Sequence, residues 1–266
     1  MDNALPWIRV PSPARWRELV MPKEHGSWSL ALEPLAFGLI AAPSVAGGSL
    51  ALAVAAGFFA RRPLRIAWRD ANRQRRSEAR VALAACAFVG VIALTIAVSL
   101  AGPGWMGWLV PAAMAGALFL SFDLRNGGRE EMAEIAGSAA FAFLPAALAV
   151  LGGATPMSAI ALALVMCGRA IPTVLCVRAA LRGAKTGVRR PAPALIATVT
   201  ALTGGVMLAR SGLAPVTAVV GLAGLALFAI GLLVFPRPAW RARTIGMIEA
   251  LLGLIFVVAV ALAWRA

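Results

Sequence analysis

Histidine is nearly absent from the sequence: His25 is the only one in 266 residues. One imidazole excludes an H-E-x-x-H helix, and no Cys/His cluster with zinc-ligand spacing appears. Aspartate is almost as scarce. Asp2, Asp70 and Asp123 stand too far apart for the close spacing that holds Mg²⁺ against a diphosphate. The three cysteines, Cys86, Cys167 and Cys176, form no C-x-x-C pair and lie in apolar runs. They read as small buried hydrophobes. Tyrosine is missing altogether, and there is no Walker-type phosphate loop. Charged residues reach only 14 %, against about 25 % in a typical soluble domain. An ordinary water-soluble enzyme, a disordered tail and a disulfide-stapled secreted domain are therefore excluded. No metal site and no cofactor is expected.

Long apolar runs are what the sequence has instead. Apolar residues make up 61 % and the mean hydropathy is +0.85. A spanning helix needs about 20 mostly apolar residues. Nine segments qualify, with the first two short: 28–43, 46–60, 79–101, 104–122, 132–151, 156–177, 192–210, 214–235 and 244–264. Helix-breaking Gly and Pro, or charge, mark nearly every gap, including Arg61-Arg62-Pro63 and Gly183. The expected fold is an all-α polytopic membrane protein. A segment 1–27 precedes one transmembrane domain, 28–264, with basic loops at 61–78 and 178–191.

The formal net charge of +14 would point to nucleic acid in a soluble chain. Here its distribution says otherwise. Of 25 Lys and Arg, 22 fall in the N-terminal segment and the loops after helices 2, 4, 6 and 8. Two, Arg210 and Arg265, fall on the alternate side, and Arg169 lies inside helix 6. The positive-inside rule then sets the N-terminus in the cytoplasm and the C-terminus outside, in an inner (plasma) membrane. No nucleic-acid partner is expected, and residues 1–27 have no cleavable signal pattern. The Trp residues sit away from span centres, as an interfacial belt does, with Trp105, Trp108 and Trp264 at outer ends and Trp28, Trp68 and Trp240 at inner ones.

Three groups of residues could carry chemistry. Lys23-Glu24-His25-Gly26-Ser27-Trp28 places an imidazole beside a carboxylate and an amine, which suits a proton relay or a phosphate contact. The plainer alternative is a helix start capped by Ser27. Glu33, Glu134, Arg169 and Glu249 are charges inside spans, each costly in hydrocarbon. Arg169 is expected to pair with Glu33 or Glu249, either as a structural ion pair or as a ligand site. Glu134 reads as a first-turn acid favoured by the helix dipole. Arg62, Arg65, Arg69, Arg73, Arg76 and Arg80 recur at steps of three and four, which predicts one basic stripe on an interfacial helix. A weak internal repeat, R-x-x-L-R, occurs at Arg61–Arg65 and at Arg178–Arg182 four spans later, and would aim both Arg pairs at one cytoplasmic mouth.

The run Lys23 to Trp28, with Glu33-Pro34 and Gly38, resembles the N-terminal signature of the YwiC-like family of bacterial membrane proteins. Arg61-Arg62-Pro63-Leu64 with Asp70 is similar to its second block, and Arg129–Gly137 to a third. Nine spans with basic loops after helices 2 and 6 also resemble the architecture of UbiA-type intramembrane prenyltransferases. There the same loops carry Asp-rich motifs for Mg²⁺ and a prenyl diphosphate; here bases stand in their place. The likeness implies an anionic lipid or isoprenoid-like ligand at the mouth, without Mg²⁺-dependent transfer. Lys23, His25, Arg61, Arg62, Arg65, Arg178 and Arg182 would contact its anionic group. An alternative is a divergent UbiA-like transferase using Glu24, His25 or Asp70 as the acid–base group. A second alternative is a small-solute transporter with Glu33, Arg169 and Glu249 on its pathway.

Overall fold

The computed structural model describes residues 11–21, 26–125, 130–187, 191–235 and 242–265. Among these residues every regular element is helical. A short amphipathic helix, α1 (Pro13–Val20), precedes the bundle and is capped by Ser12. Then come α2 (Gly26–Ala41), α3 (Val45–Arg69) and α4 (Arg73–Ala101). A 3₁₀ turn at Gly104–Leu109 leads into α5 (Val110–Leu124). Next are α6 (Glu131–Ala142), α7 (Leu144–Leu151) and α8 (Pro156–Thr186). The chain closes with α9 (Ala192–Arg210), α10 (Val216–Val234) and α11 (Ala242–Arg265).

Each predicted segment falls on helix. Among the described residues, seven stretches are long and apolar enough to cross a membrane: 73–101, 104–124, 131–151, 156–186, 192–210, 216–234 and 243–265. The two predicted N-terminal spans are different. Helix α2 has 16 residues, and α3 carries four arginines in its last third.

Two expectations about the basic segments fail. Helix α3 runs straight through Arg61-Arg62-Pro63 to Arg69, and α8 runs through Gly183 to Thr186. A hydropathy run stops where the apolar surroundings stop, whereas Arg and Ala remain good helix formers beyond that point. The predicted interfacial helix is also absent. The Arg62–Arg80 stripe is divided between the end of α3 and the start of α4 by a turn at Asp70–Asn72. That turn is built by two side chains: Asp70 Oδ1 accepts the Asn72 N–H at 3.0 Å, and Asn72 Oδ1 accepts the Arg75 N–H at 3.1 Å. Together they stop one helix and start the next, which no continuous helix could survive.

The bundle is inverted relative to a soluble protein. Phe88, Val91, Met114, Ile196, Val199, Met207, Val220 and Leu227 are each more than 60 % exposed. Such a surface would aggregate in water and suits hydrocarbon. The interior is small instead: more than half of the buried apolar residues among those described are alanine. In lipid no hydrophobic force drives helices together, so close backbone approach over small residues supplies the packing. At Gly38 on α2, a Cβ would lie 2.6 Å from Leu148 Cδ1 and 3.1 Å from Pro145 Cα, so α2 and α7 touch only because that position is glycine.

Helix α8 is the hub, packed by α6, α7, α9, α10 and α11. The main core lies around it, with Phe37 of α2, Leu162 and Met166 of α8, Leu222 of α10, and Val257 and Val260 of α11. Helix α2 packs on α11, which joins the start of the bundle to its end. At the basic end, Leu19 of α1 is buried with Ile66 of α3 and Ala79 and Ala82 of α4. The segment before the bundle is thereby docked on the α3–α4 hairpin.

Candidate functional site: two arginine clamps and a buried triad

The basic ends of α3 and α8 each grip the α5–α6 pair. Asp123 lies in the last turn of α5 and is 3 % exposed. Arg61 meets it with two parallel hydrogen bonds, Nε to Oδ2 at 3.0 Å and Nη2 to Oδ1 at 3.1 Å. Arg65, one turn on, approaches Oδ1 at 3.5 Å. The Arg61 guanidinium also lies 4.5 Å from the centre of the Phe119 ring, one turn before Asp123. Planar forks of this kind hold position and direction together.

On the other side, Arg178 of α8 donates from Nη1 to Glu134 Oε2 at 2.7 Å, and its Nε lies 3.5 Å from Glu131 Oε2. Both acids sit in the first turn of α6, where the helix dipole favours them. The two R-x-x-L-R segments therefore do share a target, but it is an acid on each helix of the α5–α6 pair, at the end where the two helices are joined. Arg182 stands one turn beyond Arg178, half-buried, with no carboxylate partner among the described residues.

The rest of the basic end is a third charged group. Arg62 Nη1 donates to the Met21 carbonyl at the end of α1. Burial first, and then the neighbouring Arg75, hold Arg62 below the ordinary guanidinium range. Asp70 takes Arg75 at 3.1 Å in addition to its role in the turn. Glu78 is buried, accepts from Gln74 at 3.2 Å and faces Arg15 of α1 at 3.8 Å. Arg65, Arg69, Arg73 and Arg80 are exposed, and Trp68 beside them is 71 % exposed.

Deeper in the bundle is a triad. Arg169 is 3 % exposed, and Glu33 of α2 and Glu249 of α11 are each 6 % exposed. Arg169 Nη2 lies 3.1 Å from Glu33 Oε2 and donates to the Glu249 backbone carbonyl at 3.0 Å. Its Nη1 lies 3.7 Å from Glu249 Oε2 and donates to Thr173 Oγ1. Both sequence candidates for a partner of Arg169 are thus used at once. Two polar atoms in the triad, Arg169 Nε and Glu249 Oε2, have no hydrogen-bond partner. Gly253, one turn after Glu249, is part of the design. A Cβ there would collide with the Arg169 guanidinium and the Glu33 carboxylate. Arg169 and Thr173 also line a narrow crevice of about 20 Å³ with Thr198 of α9 and Leu225 and Ala226 of α10.

The structure therefore brings Glu33, Arg169 and Glu249 together, and separately gathers Arg61 with Arg65 and Arg178 with Glu134. It places Asp70 in a turn. Lys23, Glu24, His25 and the Ser27 side chain lie outside the described residues. Sequence reasoning passed over Asp123, Gly253 and Thr173. Asp123 carried no usable signal, because it stands one residue past the predicted apolar run 104–122, where an acid is ordinary.

The model of the family described as YwiC-like protein matches residues 21–150. Over that stretch the chain resembles the YwiC-like family. The matched region holds Glu33, both helices of the Arg61–Asp123 clamp and the acids of α6. Arg169, Arg178 and Glu249 come from the part of the chain beyond it. No curated protein and no solved structure matches the chain.

Proposed function

We propose that this YwiC-like membrane protein crosses the inner (plasma) membrane nine times, N-terminus in the cytoplasm and C-terminus outside, and holds an anionic, lipid-tailed molecule at its cytoplasmic face without Mg²⁺-dependent prenyl transfer. The observation that carries this reading is the unequal charge at the basic end. Arg61 and Arg65 share the single carboxylate of Asp123. Arg69, Arg73 and Arg80 are exposed next to the exposed indole of Trp68. Exposed cations beside an exposed indole suit an anionic headgroup with its tail in the bilayer. The clamped residues Arg61 and Arg178 then shape the mouth, while Arg62, Arg65 and Arg182, with Lys23 and His25, supply contacts.

The test is mass spectrometry of lipids and isoprenoids retained by protein purified in detergent. The triple variant Arg69→Gln, Arg73→Gln, Arg182→Gln leaves both clamps intact. It is expected to lose about tenfold of the bound anionic species, which is roughly 1.4 kcal/mol of affinity. Equal retention by wild type and variant overturns the reading.

The reading as a divergent transferase gains less, because the Asp70 carboxylate is committed to Asn72 and Arg75. The transporter reading is favoured by one observation, the buried charges donated by α2, α8 and α11 to one point. It expects uptake of some anion into proteoliposomes that is abolished by neutralising Arg169 in a folded protein.

A further inference from the structure

The triad has two carboxylates and one guanidinium, all buried, and the described residues offer no second base to complete it. Around it, α2 contributes Glu33, α11 contributes Glu249, and α8 contributes Arg169, Thr173 and the thiol of Cys176. Helices α9 and α10 add the Thr198 hydroxyl and apolar side chains. The next acids on α8's flank, Glu131 and Glu134, are taken by Arg178. A net charge of −1 in a low-dielectric interior is penalised heavily, and an acid in that position neutralises by taking a proton.

We propose that Glu33, Arg169 and Glu249 form a site for one exchangeable proton, and that the proton resides on Glu249 Oε2. The two acids are not equivalent. Glu33 has Nη2 at 3.1 Å and 3.4 Å from its two oxygens. Glu249 has its nearest guanidinium nitrogen at 3.7 Å, and its Oε2 makes no hydrogen bond. Arg169 instead spends an Nη2 hydrogen on the Glu249 backbone carbonyl. The guanidinium therefore neutralises Glu33, and the surplus acid is Glu249. Loading is a simple addition: a proton from water joins the carboxylate, no other bond changes, and the triad goes from −1 to neutral. Glu249 stands seven residues into α11, about 10 Å along the helix from its basic end. The proton's source is water at that end. This assignment stands whether or not the anionic-lipid reading holds.

Infrared difference spectra of the full chain in lipid nanodiscs, recorded in H₂O and D₂O between mildly acid and alkaline pH, read the carboxylic-acid C=O stretch directly. The wild type is expected to show one band that shifts in D₂O. Glu249→Gln and Glu33→Gln should each abolish it, because either substitution leaves one carboxylate for one guanidinium. Arg169→Gln, if it folds, should double the band, since both acids then need a proton. Glu78→Gln removes a different buried carboxylate and should leave the band in place. Absence of the band in folded wild type overturns the proposal. So does a band that survives both single Gln variants or disappears with Glu78→Gln.

Discussion

The clamp around Asp123 and the triad around Arg169 are built from the same two chemistries in opposite proportions. At the clamp, two guanidinium groups meet one carboxylate near the end of the bundle, where Arg65 is 45 % exposed along its side chain. At the triad, two carboxylates meet one guanidinium with every side chain at or below 8 % exposure. Excess positive charge near water is readily solvated. Excess negative charge in the interior is not, and it must be neutralised or removed. The same ion pair therefore positions helices in one place and stores a titratable group in the other.

The largest effect that could break this contrast comes from removing the base at the triad. Arg169→Met should destabilise by about 3–5 kcal/mol, because it strands buried charge. A thiol-reactive dye reporting on Cys86, Cys167 and Cys176 during heating in detergent would read it, and a shift no larger than that of a surface variant would contradict it. Gly253→Val comes next. Its side chain overlaps the guanidinium and the Glu33 carboxylate, and overpacking of this kind costs about 1–3 kcal/mol. The same melt should show it, with Gly246→Val, where a Cβ meets nothing, as the matched control.

Asp123→Asn follows, at about 1–2 kcal/mol, with the loss shrinking in high salt because the arginines are partly solvated. Smaller still is Arg15→Ala. Its Nε lies 3.8 Å from Glu78 and its side chain is 48 % exposed, so less than about 1 kcal/mol is expected. Reversal of the order between Arg169→Met and Asp123→Asn would show that the two sites do not differ in the way described.

The sequence carried the helical class and the position of each apolar helix, because hydropathy reports contact with lipid. It did not carry where α3 and α8 end. Arg61–Arg69 and Arg178–Thr186 keep helical backbone after leaving the apolar zone, and hydropathy is blind to that. The pairing of Arg169 with Glu33 and Glu249 was legible because buried charges are few and must find each other. Asp123 was not, since an acid near the end of an apolar run looks the same whether water or arginine receives it. Gly253 was unreadable for a different reason: its role is the volume it leaves empty, which appears only when α2 and α8 are in place.

The two clamps also fix an order in time. The acid of α5 is synthesised 62 residues after Arg61, so its partner is already present when Asp123 leaves the ribosome. Glu134 emerges 44 residues before Arg178 and has to wait for it. The α5 side of the pair can be secured as soon as it inserts, while the α6 side stays open until the hub helix arrives. A chain stalled before α8 would hold its hairpin by one helix only.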